Sequence, residues 1–336
     1  MDKSAKLLRT PLRWLGYSGI VVGFFGMIAI AWMLIDNTFN IFFKPAAAPG
    51  VGIVLPIEAK GVFFVPFIYW ILAIFIIAVI HEASHGIIAR VHKIPLKSSG
   101  FAFLGILLPI IPAAFVEPNE KKLQKTSVSK QLSVFAAGPY SNIITGIIFG
   151  LIFVFLLVPM FPSVYDSVGI EITGLVDDAP AQIAGITEGE VIQEIDEYTI
   201  TDTGSLVNAL QSSEIGPLKV VTDKQEYSVQ TTDKDGIPFL GISLKEKIVV
   251  KESFSNKYGT FTASIYRWLL EFFNWLTLLS IGIGLFNLVP VGPIDGGRML
   301  KLVSEKYFKD IGHKAYVYIS FFFLAAILVN VLAGFF

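Results

Sequence analysis

The sequence predicts an α-helical polytopic membrane protein. It would have about five spanning helices, a membrane-associated β or re-entrant element, and one inserted small β-rich domain. Three observations predict this. Of the 336 residues, 54% are hydrophobic and only 16% are charged, whereas a soluble domain carries about 25% charged residues. Apolar runs recur that reach the roughly 20 residues a helix needs to cross a bilayer. Between two of them, from Tyr165 to Lys251, the composition becomes that of a soluble domain.

The first run, Trp14–Ile35, follows Lys3, Lys6, Arg9 and Arg13. A basic start before an apolar stretch also describes a secretory signal, but its apolar region is only about 7–15 residues, so an uncleaved spanning helix is expected. The second run, Val62–Ala89, is apolar until it meets His81, Glu82 and His85. In Gly100–Val116 the residues Gly100, Gly105, Pro109 and Pro112 break the apolar sequence into pieces too short to span. Strands or a re-entrant loop are expected there, tolerable at membrane depth only when covered by protein or facing water. A third span is expected over residues 131–161.

Within 165–251, short β-rich runs (Val168–Val176, Val191–Ile195, Lys219–Thr222, Tyr227–Thr231, Leu240–Leu244) alternate with turns rich in Gly, Asp and Pro. One helical pattern, Gly204–Gln211, lies among them. A fourth span is expected at Arg267–Pro290, and part of Ser255–Phe273 also suits an interfacial amphipathic helix. A fifth runs from Tyr316 to the end. The expected parts are 1–61 (first helix and extracytosolic loop), 62–161 (first part of a membrane core), 165–251 (the inserted domain), 255–300 (second part of the core) and 301–336 (C-terminal segment and last helix).

Charge fixes the expected orientation. Lys and Arg concentrate in the N-terminal arm and in segments 90–97, 121–130 and 298–314, while the 36–61 loop has only Lys44 and Lys60. By the positive-inside rule the N-terminus is cytosolic, and the 165–251 domain is extracytosolic, in a multi-pass protein of the cell membrane. The absence of cysteine excludes disulfides, thiol catalysis and thiolate-ligated metals.

His81-Glu82-Ala83-Ser84-His85 is an H-E-x-x-H pattern on a predicted helix. Residues i and i+4 share a helix face, so both imidazoles can reach one ion, with Glu82 beside it as general base. A surface helix with scattered polar groups is the plainer reading. At membrane depth, though, each ionisable residue costs about 2.5–3.5 kcal/mol or more, which makes decoration a poor explanation. A catalytic zinc needs a third protein ligand and an open position. His92 suits an interfacial role better, and His313 suits a solvated one. Asp295, bracketed by Pro293 and Gly296, is the candidate, although an aspartate there could equally cap the next helix.

These residues resemble the site-2 proteases, peptidase family M50. The H-E-x-x-H pattern sits on one span, Ala137-Gly138-Pro139-Tyr140-Ser141-Asn142 on the next, and Asn287, Pro290, Asp295 and Gly296 on a later one. The resemblance implies His81, His85 and Asp295 as zinc ligands and Glu82 as catalytic base. It places Asn142, Asn287 and Pro290 near the substrate or the oxyanion, although asparagines in lipid also serve as interhelical hydrogen bonders. Members of the family often have proline where this chain has Gly292. The 100–116 segment resembles the family's membrane-associated β element, which could add an unwound substrate as a strand.

Gly174 to Asp196 resembles a PDZ domain, in its A-P-A-x-x-A-G and G-E-V-I-x-x-I-D patterns. Such a domain either captures peptide by strand addition or acts as a size filter. The expected function is an intramembrane zinc endopeptidase. Its partners would be the bilayer and membrane-spanning protein substrates, such as anti-sigma factors or membrane-held transcription regulators, and nucleic acid is not expected. The competing readings are a metal or ion transporter and a non-catalytic PDZ scaffold. The first and fifth spans lack internal acids and histidines, which disfavours transport, and an intact Glu82 disfavours the scaffold.

Overall fold

The structure, a computed structural model, describes residues 7–44, 50–104 and 111–335. In chain order the main elements begin with helix α1 (Arg9–Phe43), strands β1 (Ile53–Leu55) and β2 (Val62–Phe64), and helix α2 (Phe67–Val91). Strands β3 (Leu96–Leu104) and β4 (Ile111–Pro118) and helix α3 (Val128–Ile152) follow. Next come β5 (Tyr165–Leu175), β6 (Val191–Ile195), β7 (Tyr198–Thr199), helix α4 (Thr203–Ser212), β8 (Pro217–Thr222) and β9 (Glu226–Gln230). The chain ends with β10 (Thr232–Lys234), β11 (Ile237–Phe239), β12 (Ile242–Val250) and helices α5 (Thr260–Phe286) and α6 (Asp295–Ala333). The chain divides into two compact units, one of residues 1–156 with 268–336 and one of residues 157–267.

Among the described residues, five helical stretches are long and apolar enough to cross a membrane: α1, α2, residues 128–164, α5 and α6. Glycine and alanine are frequent among their buried residues, beside larger apolar ones, and many of their large apolar side chains face outward. Phe25, Trp32, Phe155 and Phe321 are all about two-thirds exposed or more. A water-soluble monomer rarely shows such surface continuously. On α1, Gly19 meets the Tyr140 ring, Gly23 meets Met299 and Gly26 meets Leu288. This small-residue stripe lets helices approach closely where apolar burial from water gives no drive. The main core gathers Leu34, Ile88, Val134, Phe135, Leu288 and Met299.

Some boundaries differ from expectation for local reasons. Val62–Phe64, read as the start of the second span, is a strand paired in parallel with Ile53–Leu55. Pro66 then caps α2, and a short apolar run cannot be told from a helix by periodicity. The fourth helix stops at Phe286, before Asn287 and Pro290, where Pro290 has no N–H to bond the Phe286 carbonyl four residues back. The polar segment from Asp295 is helical and joins the last span, with an interruption at Lys309 (φ 49°, ψ −126°). Strands β3 and β4 form an antiparallel hairpin, and its expected breakpoints Gly105 and Pro109 lie outside the described residues.

The second unit is a sheet in the order β12-β5-β6-β8-β9, with β7 on β6. Its inward side chains, Ile170, Ile172, Ile192, Ile195, Leu218, Val220 and Val229, form a core with Leu206 of α4. The strand alternation is that of a half-buried sheet. Asp202 and Ser205 close a reciprocal cap at the start of α4. Asp235 and Gly236, both at positive φ, supply the two-residue turn between β10 and β11 that favours such residues. Glu190, directly before β6, is buried. Burial opposes its ionisation, but hydrogen bonds from Thr222, Thr187 and Tyr227 outweigh that and hold its carboxyl down at about 2.

Candidate metal centre

Helix α2 presents His81 and His85 one turn apart, with their Nε2 atoms 3.1 Å from each other. Asp295 arrives from the far end of the sequence, and its Oδ2 lies 3.1 Å from His81 Nε2 and 3.2 Å from His85 Nε2. Ile294 takes the cap position of α6 and Asp295 is the first helical residue, so its carboxylate is turned to the imidazoles. The unwound 287–294 segment permits this. Gly296 donates its N–H to Asn287 O at 2.8 Å. A Cβ at Gly296 would strike the Leu288 carbonyl and one at Gly297 the Val291 carbonyl, so the first turn of α6 can seat only without side chains there.

The three donors form a triangle with edges of 3.1, 3.1 and 3.2 Å. A tetrahedral ion bonded at roughly 2.0–2.1 Å has donor–donor edges of about 3.3–3.4 Å, so the triangle suits such an ion with one position left open. Three donors of this kind within a few ångströms can hold a metal.

The other ring nitrogens are tied down as metal-holding histidines require. His85 Nδ1 donates to Val134 O at 2.6 Å, leaving its Nε2 lone pair free. His81 Nδ1 lies 3.1 Å from the Asn142 amide. With Nδ2 toward the ring, Nε2 would have to carry the ring proton, and the buried Asn142 Oδ1 has no partner. The opposite amide orientation, equally compatible with the heavy-atom positions, lets Oδ1 accept Nδ1–H and frees Nε2. The metal-holding tautomer therefore selects that orientation.

Two further groups shape the centre in ways the sequence alone does not show. A Cβ at Gly138 would fall closer than 3.0 Å to the Nε2 atoms of both His81 and His85, so only glycine leaves the donor face of the rings open. Val116 of β4 donates its N–H to Glu82 Oε2 at 3.0 Å, which fixes the carboxylate beside the triad. No sequence signal marks a backbone amide. Gly138 carried one, four residues before Asn142 and so on the same helix face.

The centre floors a cavity of ≈ 330 Å³ whose lining also includes Pro118, Glu120, Phe135, Asn287, Ile294 and Arg298. Asn287 donates to Ile283 O in the last turn of α5 at 3.0 Å and reaches the cavity wall. Pro290 turns its carbonyl to Ser320 Oγ at 3.1 Å and is not among the described lining residues. Gly292 packs against the Tyr316 hydroxyl, so a side chain at this position would have to displace that ring. The remaining histidines are engaged elsewhere: His92 Nε2 lies 2.8 Å from Ser133 Oγ and His313 Nδ1 2.8 Å from Glu305.

A helix carrying H-E-x-x-H, closed by a remote carboxylate, defines a metalloprotease-type centre. The chain belongs to peptidase family M50, whose family model matches residues 69–331. It is 27% identical over 290 residues to an uncharacterized protein of Methanocaldococcus jannaschii, covering 85% of this chain and 69% of that protein. It is 25% identical to a Streptococcus pyogenes serotype M6 protein named as a zinc metalloprotease, over 65% of this chain and 61% of the relative. The chain thus spans roughly 60–70% of the length of these relatives. A PDZ domain of the SdrC-like protein of Listeria monocytogenes aligns with 23% of the chain and 87% of its own length, at 25% identity and a TM-score of 0.21. The likeness of the β unit to a PDZ domain rests on its sequence pattern, not on that superposition.

Proposed function

We propose that this protein is an intramembrane zinc endopeptidase that hydrolyses peptide bonds in or near the transmembrane segments of other proteins. The observation that carries the reading is the convergence of His81, His85 and Asp295 donors at about 3 Å edges, among helices whose outward faces are apolar. His81, His85 and Asp295 would hold the ion, with Asn142 and the Val134 carbonyl fixing the rings. Zinc bound there supplies Lewis acidity, polarising a carbonyl and making water acidic near neutral pH. Zinc itself is favoured by the nitrogen and carboxylate donor set.

Glu82 accepts the proton that water loses and returns it to the leaving amine, and the Val116 N–H holds its carboxylate in place for this. The cavity orients one stretch of extended substrate, with the second Asn287 N–H available to a carbonyl. Gly138 keeps the approach to the donors clear. The lengths of the apolar helices and their lipid-like outward faces support an integral membrane protein, with the N-terminus cytosolic and the β unit extracytosolic by the charge pattern. The β unit is read as a size filter against bulky ectodomains, because it is inserted in sequence between the Asn142 and Asn287 helices. Substrates would be single-span regulators such as anti-sigma factors.

The test is metal analysis of the purified full chain together with cleavage of a transmembrane substrate by wild type and Glu82→Gln. The reading expects about one zinc per chain in both proteins and cleavage only by wild type. Cleavage persisting in Glu82→Gln, or full activity without metal, would overturn it.

A further inference from the structure

Arg298 is the one arginine or lysine among the described residues lining the catalytic cavity. It lies one turn after Asp295, and residues three apart share a helix face. Its guanidinium stacks on the Phe135 ring, 4.3 Å from the centroid. Phe135 follows Val134, whose carbonyl accepts the His85 Nδ1–H, so this cation is held beside the centre by the segment that orients a candidate ligand. Across the cavity its nearest charge is Glu120, at 3.7 Å. Both side chains are substantially exposed, 42% for Arg298 and 63% for Glu120, and long exposed pairs of this kind are weak. Among the described residues the guanidinium makes no hydrogen bond, although it offers five donors in a fork that matches a carboxylate.

The cavity already contains the carboxylates of Glu82, Asp295 and Glu120. Peptide hydrolysis adds another, and an acidic substrate side chain would do the same. Zinc at the centre would offset Asp295 and Glu82; Glu120 remains, and Arg298 is the cation the chain itself supplies for it or for an incoming carboxylate.

We propose that Arg298 is a carboxylate-binding, specificity-determining residue that takes up an acidic group of the substrate or the newly formed α-carboxylate in exchange for Glu120. This rests on the peptidase reading, but its test does not need turnover. Three apolar fluorescent peptides are titrated onto the detergent-solubilised full chain: one ending in a free carboxylate, the same peptide ending in an amide, and the amide form with one internal Asp. Binding is compared in wild type, Arg298→Glu, Arg298→Lys and the surface control Lys306→Glu, with zinc content checked in each.

Tighter binding of either acid-bearing peptide by about tenfold, weakened by salt, lost in Arg298→Glu and only partly kept in Arg298→Lys, is expected. The free-acid peptide would report the product terminus and the Asp peptide an acidic side chain. Equal affinity for all three peptides in wild type, or an acid preference that survives Arg298→Glu, would overturn the proposal. Failure of the peptidase reading shows separately, as cleavage independent of Glu82 or of metal.

Discussion

Replacing Asn142 by leucine isolates the tautomer argument at the centre. Asn142 is fully buried and touches the metal-facing ring only through the 3.1 Å contact with His81 Nδ1. Leucine has the same branched arrangement of side-chain heavy atoms, so the substitution removes the acceptor while adding the bulk of two methyl groups, which the folding control below monitors. His81 would then have no partner fixing its proton on Nδ1, and its ring would lose its orientation. Losing such an outer partner costs about 10–100-fold in metal affinity, or about 1.4–2.7 kcal/mol. The backbone carbonyl that orients His85 survives, so binding should weaken and not vanish. The assay is competition for zinc between the full chain and a chelator of known affinity, with thermal unfolding of the metal-free proteins as a folding control. Asn142→Asp restores an acceptor and should recover most of the affinity. If Asn142→Leu holds zinc as tightly as wild type while His81→Leu does not, the tautomer reasoning fails.

Gly138→Ala places a Cβ within 3.0 Å of both Nε2 atoms. It should lower the zinc retained after dialysis at least about tenfold, measured by elemental analysis, while Gly292→Ala should not. Val116→Pro removes the N–H that fixes Glu82 and should lower kcat more than zinc content, whereas Val116→Ala should do neither. In the β unit the folded Glu190 carboxyl lies at about 2, below its ordinary 4.5. Its contribution is therefore fully present above pH 4.5 and is lost as pH falls toward 2. Hydrogen-exchange protection of β6 and β8, corrected for intrinsic pH dependence, should decline over that window. Tyr227→Phe removes one bond to this carboxylate and should cost about 1.5–3 kcal/mol of local protection.

The sequence exposed His81, Glu82 and His85 because a four-residue interval on one helix is a local signal. Asp295 was visible only through its Pro and Gly neighbours, which announce unwound backbone but not what it faces. The structure shows it facing both imidazoles. Val134 O and the Val116 N–H could not be read, since backbone groups have no residue identity and acquire partners only through tertiary packing. Gly138 was readable as part of a motif but not as a steric requirement, because an absent side chain matters only against a neighbour. Val62–Phe64 eluded the reading for another reason: three apolar residues fit a strand or a helix equally, and pairing with Ile53–Leu55 decides it.

X-ray absorption at the zinc edge, on the purified full chain and on Asp295→Ala, tests the centre itself. Imidazole nitrogen and carboxylate oxygen at about 2.0–2.2 Å, with the affinity falling when Asp295 is removed, is the predicted result. A spectrum without imidazole scattering, or an Asp295→Ala protein that binds zinc as tightly as wild type, would contradict the assignment of these three side chains to one ion.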